Sequence, residues 1–183
     1  MTDIERPSRP GVLAGIAFTG ILAGAVVGGT TNAVNGAVSP EYFEAVMRWP
    51  PIDIWERAIA QGVFEGLIVG FGLALIFTIA TGIITGASCT YRFAAKHLLG
   101  IVAATYVCWA IGGMAAMGLA TLSPRFYRGA FIGVPDDFAG LLGYAWVGGS
   151  IWGAQLGGLA SVIVGLFYLR ANWRQEASQT SSR

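Results

Sequence analysis

Few residues of this 183-residue sequence have types and spacing suited to chemistry, and one of them stands where a charge is expensive. Glu65 is the only charged residue between Arg57 and Arg92. A carboxylate well inside a bilayer must be protonated, paired or hydrated, and such residues face a helix bundle or a cavity. Asp53, Arg57, Gln61 and Glu65 recur every four residues, which places them on one helical stripe. Asn32 and Asn35 fall at a similar depth in the preceding apolar segment. The expected candidate site is therefore a polar cluster of Asn32, Asn35, Gln61 and Glu65 in the outer half of a membrane bundle. Two chemistries fit it: a hydrogen-bond knot joining the first two helices, or a site for an ion, a proton or a small solute.

Other constellations fall short of a site. His97 is the single histidine, with no second ligand at metal spacing, and it follows Arg92 and Lys96 at a basic helix end. Gly70-Phe71-Gly72 begins like a dinucleotide loop, but Leu75 stands where the third glycine is needed. Ser150 follows Gly148-Gly149 without the G-x-S-x-G pattern or a partner histidine. No catalytic, metal or cofactor-binding residue is expected, and the sequence does not read as an enzyme. Cys89 and Cys108 are too few for a disulfide framework and are expected to be free thiols. Eleven Lys and Arg against ten Asp and Glu leave no field to recruit nucleic acid.

The elements that must position these residues are set by composition. The chain is 55% hydrophobic and 11% charged, with 27 glycines. That excludes a disordered chain and an ordinary soluble domain. No charge lies between Arg9 and Glu41, between His97 and Arg125, or between Asp137 and Arg170. A span needs about 20 apolar residues, so each window holds one helix and not two. Four transmembrane helices are expected near 11–35, 57–86, 96–121 and 139–169. The first window has the charged flank of a signal peptide, but its apolar stretch is too long and no A-x-A site follows, so it reads as a retained helix. Seven of the eleven Lys and Arg fall on one side: Arg6, Arg9, Arg92, Lys96, Arg170, Arg174 and Arg183. Arg48, Arg57, Arg125 and Arg128 fall on the other. This bias puts both termini in the cytoplasm.

An internal repeat organises the chain. At an offset of 84, Gly28-Gly29 falls on Gly112-Gly113, Ser39-Pro40 on Ser123-Pro124, Pro51 on Pro135 and Asp53 on Asp137. The reading is a helical hairpin copied once with parallel topology, 11–87 and 96–171, joined by a cytoplasmic loop at 88–95. Tails are expected at 1–10 and 172–183, the latter flexible. Each copy carries a short amphipathic helix opening on Ser-Pro, with serine as its cap and aromatics suited to the lipid–water boundary. Interfacial anchoring is the expected role of these helices, and a binding lid the sharper one. Glu41 falls on Arg125 and Glu44 on Arg128, so ion pairs of Glu41 with Arg128 and Glu44 with Arg125 are expected between the copies.

Glycines explain the packing. Gly20, Gly24 and Gly28 recur every four residues, as do Gly62, Gly66 and Gly70, and Gly149, Gly153 and Gly157; Gly112 continues a row of small residues in the third helix. Such seams let backbones approach where lipid offers no hydrophobic drive for pairing. Asn32, Asn35 and Glu65 align with Ala116, Leu119 and Gly149, so any site is expected in the first copy, with the second as scaffold. Gln155, the one interior amide there, is expected to face another subunit or a different helix. The function favoured is a structural or accessory subunit of a membrane assembly, with the bilayer and a homo-oligomer or other membrane subunits as partners. The alternative is a small-solute, ion or proton transporter or channel using Glu65. A cavity reaching Glu65 separates the two.

Overall fold

The computed structural model describes residues 9–181; the expected tail up to residue 8, including Arg6, and Arg183 lie outside the described residues. The described chain forms six helices: α1 (Pro10–Val38), α2 (Pro40–Met47), α3 (Ile54–Thr85), α4 (Tyr91–Leu122), α5 (Pro124–Ala130) and α6 (Phe138–Ser181). α1, α3, α4 and the Phe138–Glu176 part of α6 are long and apolar enough to cross a membrane. Phe18, Phe64, Ile83 and Phe167 lie exposed on their outer faces. Water would penalise that surface, and hydrocarbon does not.

Local chemistry sets the boundaries. Ser39 is extended, as the residue before Pro40 must be, and this ends α1. Its hydroxyl does not cap α2. Ser39 Oγ donates to Glu41 Oε2 at 3.1 Å, a charge-assisted hydrogen bond. Ser123 likewise makes no side-chain cap on α5. The caps that form are Thr90, whose Oγ1 accepts from the Phe93 N–H at 3.2 Å, and Asp137, whose Oδ1 accepts from the Gly140 N–H at 2.7 Å. α3 closes at Gly86, whose left-handed φ of 59° lets the Ala87 N–H return to the Gly82 carbonyl at 2.8 Å.

α6 is longer than the sequence reading allowed. The sequence reading places a tail at 172–183, yet the chain stays helical through Ser181. It holds no glycine or proline and is rich in good helix formers. Trp173 stacks edge-on against Phe93 of α4, with ring centroids 5.4 Å apart, and Asn172 Nδ2 lies 3.1 Å from His97 Nε2. His97 is thus held at the helix end, its Nδ1 also 2.9 Å from the Phe93 carbonyl.

α1 packs chiefly on α3, and α4 on α6, giving two hairpins with lesser contacts between them. The closest approaches run through glycine. Gly24 lies against Gly66 and Gly70, and Gly28 against Gly62 and Gly66. A Cβ on Gly70 would stand 2.9 Å from the Gly24 Cα, and one on Gly112 would stand 2.7 Å from the Gly153 Cα. Gly149 meets Gly112 and Ala116, and Gly157 meets the side chain of Cys108. Gly20 faces Ala74 across the same α1–α3 contact. Cys89 is buried, Cys108 half-buried, and both are free.

α2 and α5 sit together at one end of the bundle. Their aromatics turn inward more than the interfacial reading expected. Phe43 is fully buried with Ile54, Ala58 and Val147, and Tyr127 is buried with Leu141, Tyr144 and Ala145. An apolar helix face is equally at home against a bundle and against lipid, and here the bundle takes it. Val46, Phe126 and Phe131 remain exposed.

Candidate functional site

Glu65 lies midway along the first half of α3 and is half-buried. One turn earlier on the same stripe, Gln61 Nε2 donates to Glu65 Oε1 at 2.7 Å. No other hydrogen bond to the Glu65 carboxylate is made among the described residues. Arg57, a turn further along, points to the exposed surface.

Glu65 faces a cavity of about 130 Å³ between the two hairpins. All four long helices line it. α1 contributes Thr31 and Asn32, α3 contributes Glu65 and Phe77, α4 contributes Thr105, and α6 contributes Ile151, Ala154 and Gln155. The second hairpin also lines the cavity, through Thr105 and Gln155. Ile151, Ala154, Gly158 and Val162 turn to the gap, and Gln155, roughly opposite Gly149, Gly153 and Gly157 on α6, is exposed at its edge. Close approach along each seam pulls the helices of a hairpin together, and the gap is left between the hairpins.

The four expected residues divide. Asn32 and Glu65 reach the cavity, Gln61 orients Glu65, and Asn35 does not line it. Asn35 is fully buried, and its Nδ2 donates to Asn32 Oδ1 at 3.4 Å. Its Oδ1 lies 3.0 Å from Ser150 Oγ, which also lies 3.1 Å from the Val147 carbonyl. The knot thus ties α1 to α6, across the hairpins, rather than α1 to α3. Ser150, set aside above as a nucleophile, is its missing member. Its partner is 115 residues away, a separation at which no sequence spacing speaks.

A phenolic group stands at the α2/α5 end of the site. Burial first, and the Glu65 carboxylate second, push the Tyr42 phenol above its ordinary range. The Tyr42 ring packs 5.0 Å from that of Tyr144 and lies over Gly148. Tyr127 is also raised, by burial and then by Tyr42. All of these rings stay neutral at physiological pH and close the end of the bundle without adding charge.

Compared with protein-family models, curated proteins and solved structures, the chain matches none of them.

The expected ion pairs between the outer helices are not made among the described residues. Arg128 turns back on its own loop, donating from Nε to the Pro135 carbonyl at 3.2 Å and from a terminal nitrogen to the Asp136 carbonyl at 2.5 Å. Glu41 takes the Ser39 hydroxyl. The outer segments meet instead through Ala45 against Gly133, and through Tyr42 beside Tyr144. Local carbonyls offered Arg128 partners without ordering a second long side chain. Glu44 and Arg125 make no ion pair with each other either. No group of three or more His, Cys, Asp or Glu that would hold a metal occurs among the described residues.

Proposed function

We propose that this chain is a multi-pass membrane protein that admits a small solute to the cavity between its hairpins, with Glu65 as the group that meets it. One observation carries this reading: the intramembrane carboxylate faces open volume and shares it with polar side chains from α1, α4 and α6. A carboxylate kept for structure alone would be expected to satisfy both oxygens within the protein. Glu65 has one oxygen held by Gln61 and a neighbouring cavity of about 130 Å³, many times the room a single water needs.

The finer architecture belongs to the same reading. The hairpins are two copies of one unit related by an axis along the membrane normal, with both termini in the cytoplasm and the α2/α5 end outside. Each copy is closed by its glycine seam, so the hairpins move as bodies, and the lighter contact between them is where a solute enters. The structural or accessory-subunit reading draws support from the Asn32–Asn35–Ser150 knot, which is buried and internally bonded. That knot accounts for Asn35, whereas Glu65 is left for solute.

The test is permeability. Proteoliposomes would be challenged with a panel of small neutral, anionic and cationic solutes and their swelling followed by light scattering. At least one class should enter faster through the native protein than through Ala154→Phe or the milder Ala154→Leu, both of which fill the cavity. Identical traces for native and filled protein across the whole panel would remove the proposal.

A further inference from the structure

The cavity that Glu65 faces is lined by one carboxylate and no cation. Among the described residues around it there is no Lys, Arg or His. The nearest basic residue on the stripe, Arg57, is exposed and makes no ion pair with Glu65. A negative charge in a low-dielectric surround needs a partner, and the protein supplies none at this position. Beside Thr31, Asn32, Thr105 and Gln155 the walls are apolar, with Val69 one turn along from the carboxylate and Phe77, Leu98 and Ile101 at the far end.

We infer that the solute is a small organic monocation: a primary ammonium group seated on Glu65 and a short apolar body lying along the wall at Val69, Leu73 and Ala154. The inference rests on the reading of the cavity as a solute site. Three observations select this class. The single carboxylate matches a single positive charge. Glu65 keeps one oxygen free of protein partners, and Asn32 and Gln155 stand in the same cavity to accept the remaining N–H groups of an ammonium through their amide oxygens. A bare hard metal ion is a poor match, since it asks for about six oxygen ligands and would leave the apolar walls empty. The volume of about 130 Å³ is strung along the helices from Gly62 to Phe77, which suits a slender body rather than a bulky one.

The polarity of the site gives the solute a direction. Its head would lie towards the α2/α5 end, where Glu65 sits, and its body towards Phe77 and Leu98. Tyr42, whose phenol senses the Glu65 charge, stands at that end and stays neutral, so it leaves the pairing of carboxylate and ammonium undisturbed.

The test uses three probes of one shape in the protein reconstituted in nanodiscs at pH 7: n-butylammonium, n-butanol and butyrate. Binding is read by ligand-observed NMR as the difference from Ala154→Phe and from Ala154→Leu. n-Butylammonium should bind at least about tenfold more tightly than n-butanol, the gain of a charge-assisted hydrogen bond, and butyrate should not bind. Glu65→Gln should bring n-butylammonium down to the level of n-butanol and leave n-butanol unchanged. Equal affinity for the ammonium and the alcohol, or preference for butyrate, would overturn the ammonium assignment while keeping the cavity as a solute site. So would displacement of n-butylammonium by sodium or potassium at equal concentration. No cavity-dependent binding of any probe, with bound phospholipid retained in native mass spectrometry, would overturn both the assignment and the reading beneath it.

Discussion

At the scale of the residue, the polar groups within the membrane have separate tasks. Asn35 and Ser150 tie the hairpins together, while Gln61 and Asn32 frame Glu65. Hydrogen bonds between membrane helices are modest, so Asn35→Ala should lower stability by about 1 kcal/mol. Ser150→Ala made on the Asn35→Ala background should add little, since the shared bond is already gone. Unfolding of the two single variants and the double in a mixed-detergent titration checks this, and fully additive losses would mean that the knot is not a coupled unit. The sequence disclosed that Asn32, Asn35, Gln61 and Glu65 are out of place in an apolar segment. It did not disclose Ser150 or Gln155 as their companions. Periodicity reports which residues share a face of one helix, and nothing in it reports which face of a distant helix arrives opposite.

At the scale of the element, each long helix was legible because a charge-free window of the right length has one physical solution. The glycines recur every four residues in the sequence, and the consequence of that spacing can be tested site by site. Gly24→Leu, Gly66→Leu and Gly153→Leu place a side chain where backbone atoms already touch. Overpacking against backbone cannot relax by a rotamer change, so each should cost about 3 kcal/mol or more and reduce the folded fraction in detergent. Gly72→Leu and Gly118→Leu meet nothing within 4 Å and should leave the melting temperature unchanged or slightly raised. Equal effects in the two sets, measured by thermal unfolding, would remove the packing argument. Three elements differ from their sequence reading. The amphipathic pattern of α2 and α5 located their apolar faces, but lipid and bundle are both apolar and the pattern cannot tell them apart. The end of α6 reads as a polar tail, and the meeting of Trp173 with Phe93 and of Asn172 with His97 docks it on α4.

At the scale of the whole molecule, α1 packs chiefly on α3 and α4 on α6, and the cavity is the space left between these two pairs. Such a space belongs to no single segment, which is why no stretch of sequence announced it. The central claim is that Glu65 looks into volume that water and solute can enter. Cysteine accessibility measures this directly. In a background with Cys89→Ala and Cys108→Ala, single cysteines would be placed at Ala154 on the cavity wall and at Phe167, which is 68% exposed on the outer surface of α6. Membranes would then be treated with a small, water-soluble thiosulfonate carrying an ammonium group, and modification read by mass spectrometry. The account predicts rapid modification at Ala154→Cys, slowed by Glu65→Gln, and little at Phe167→Cys in its lipid setting. A cysteine at Ala154 that stays as unreactive as the one at Phe167 would contradict it.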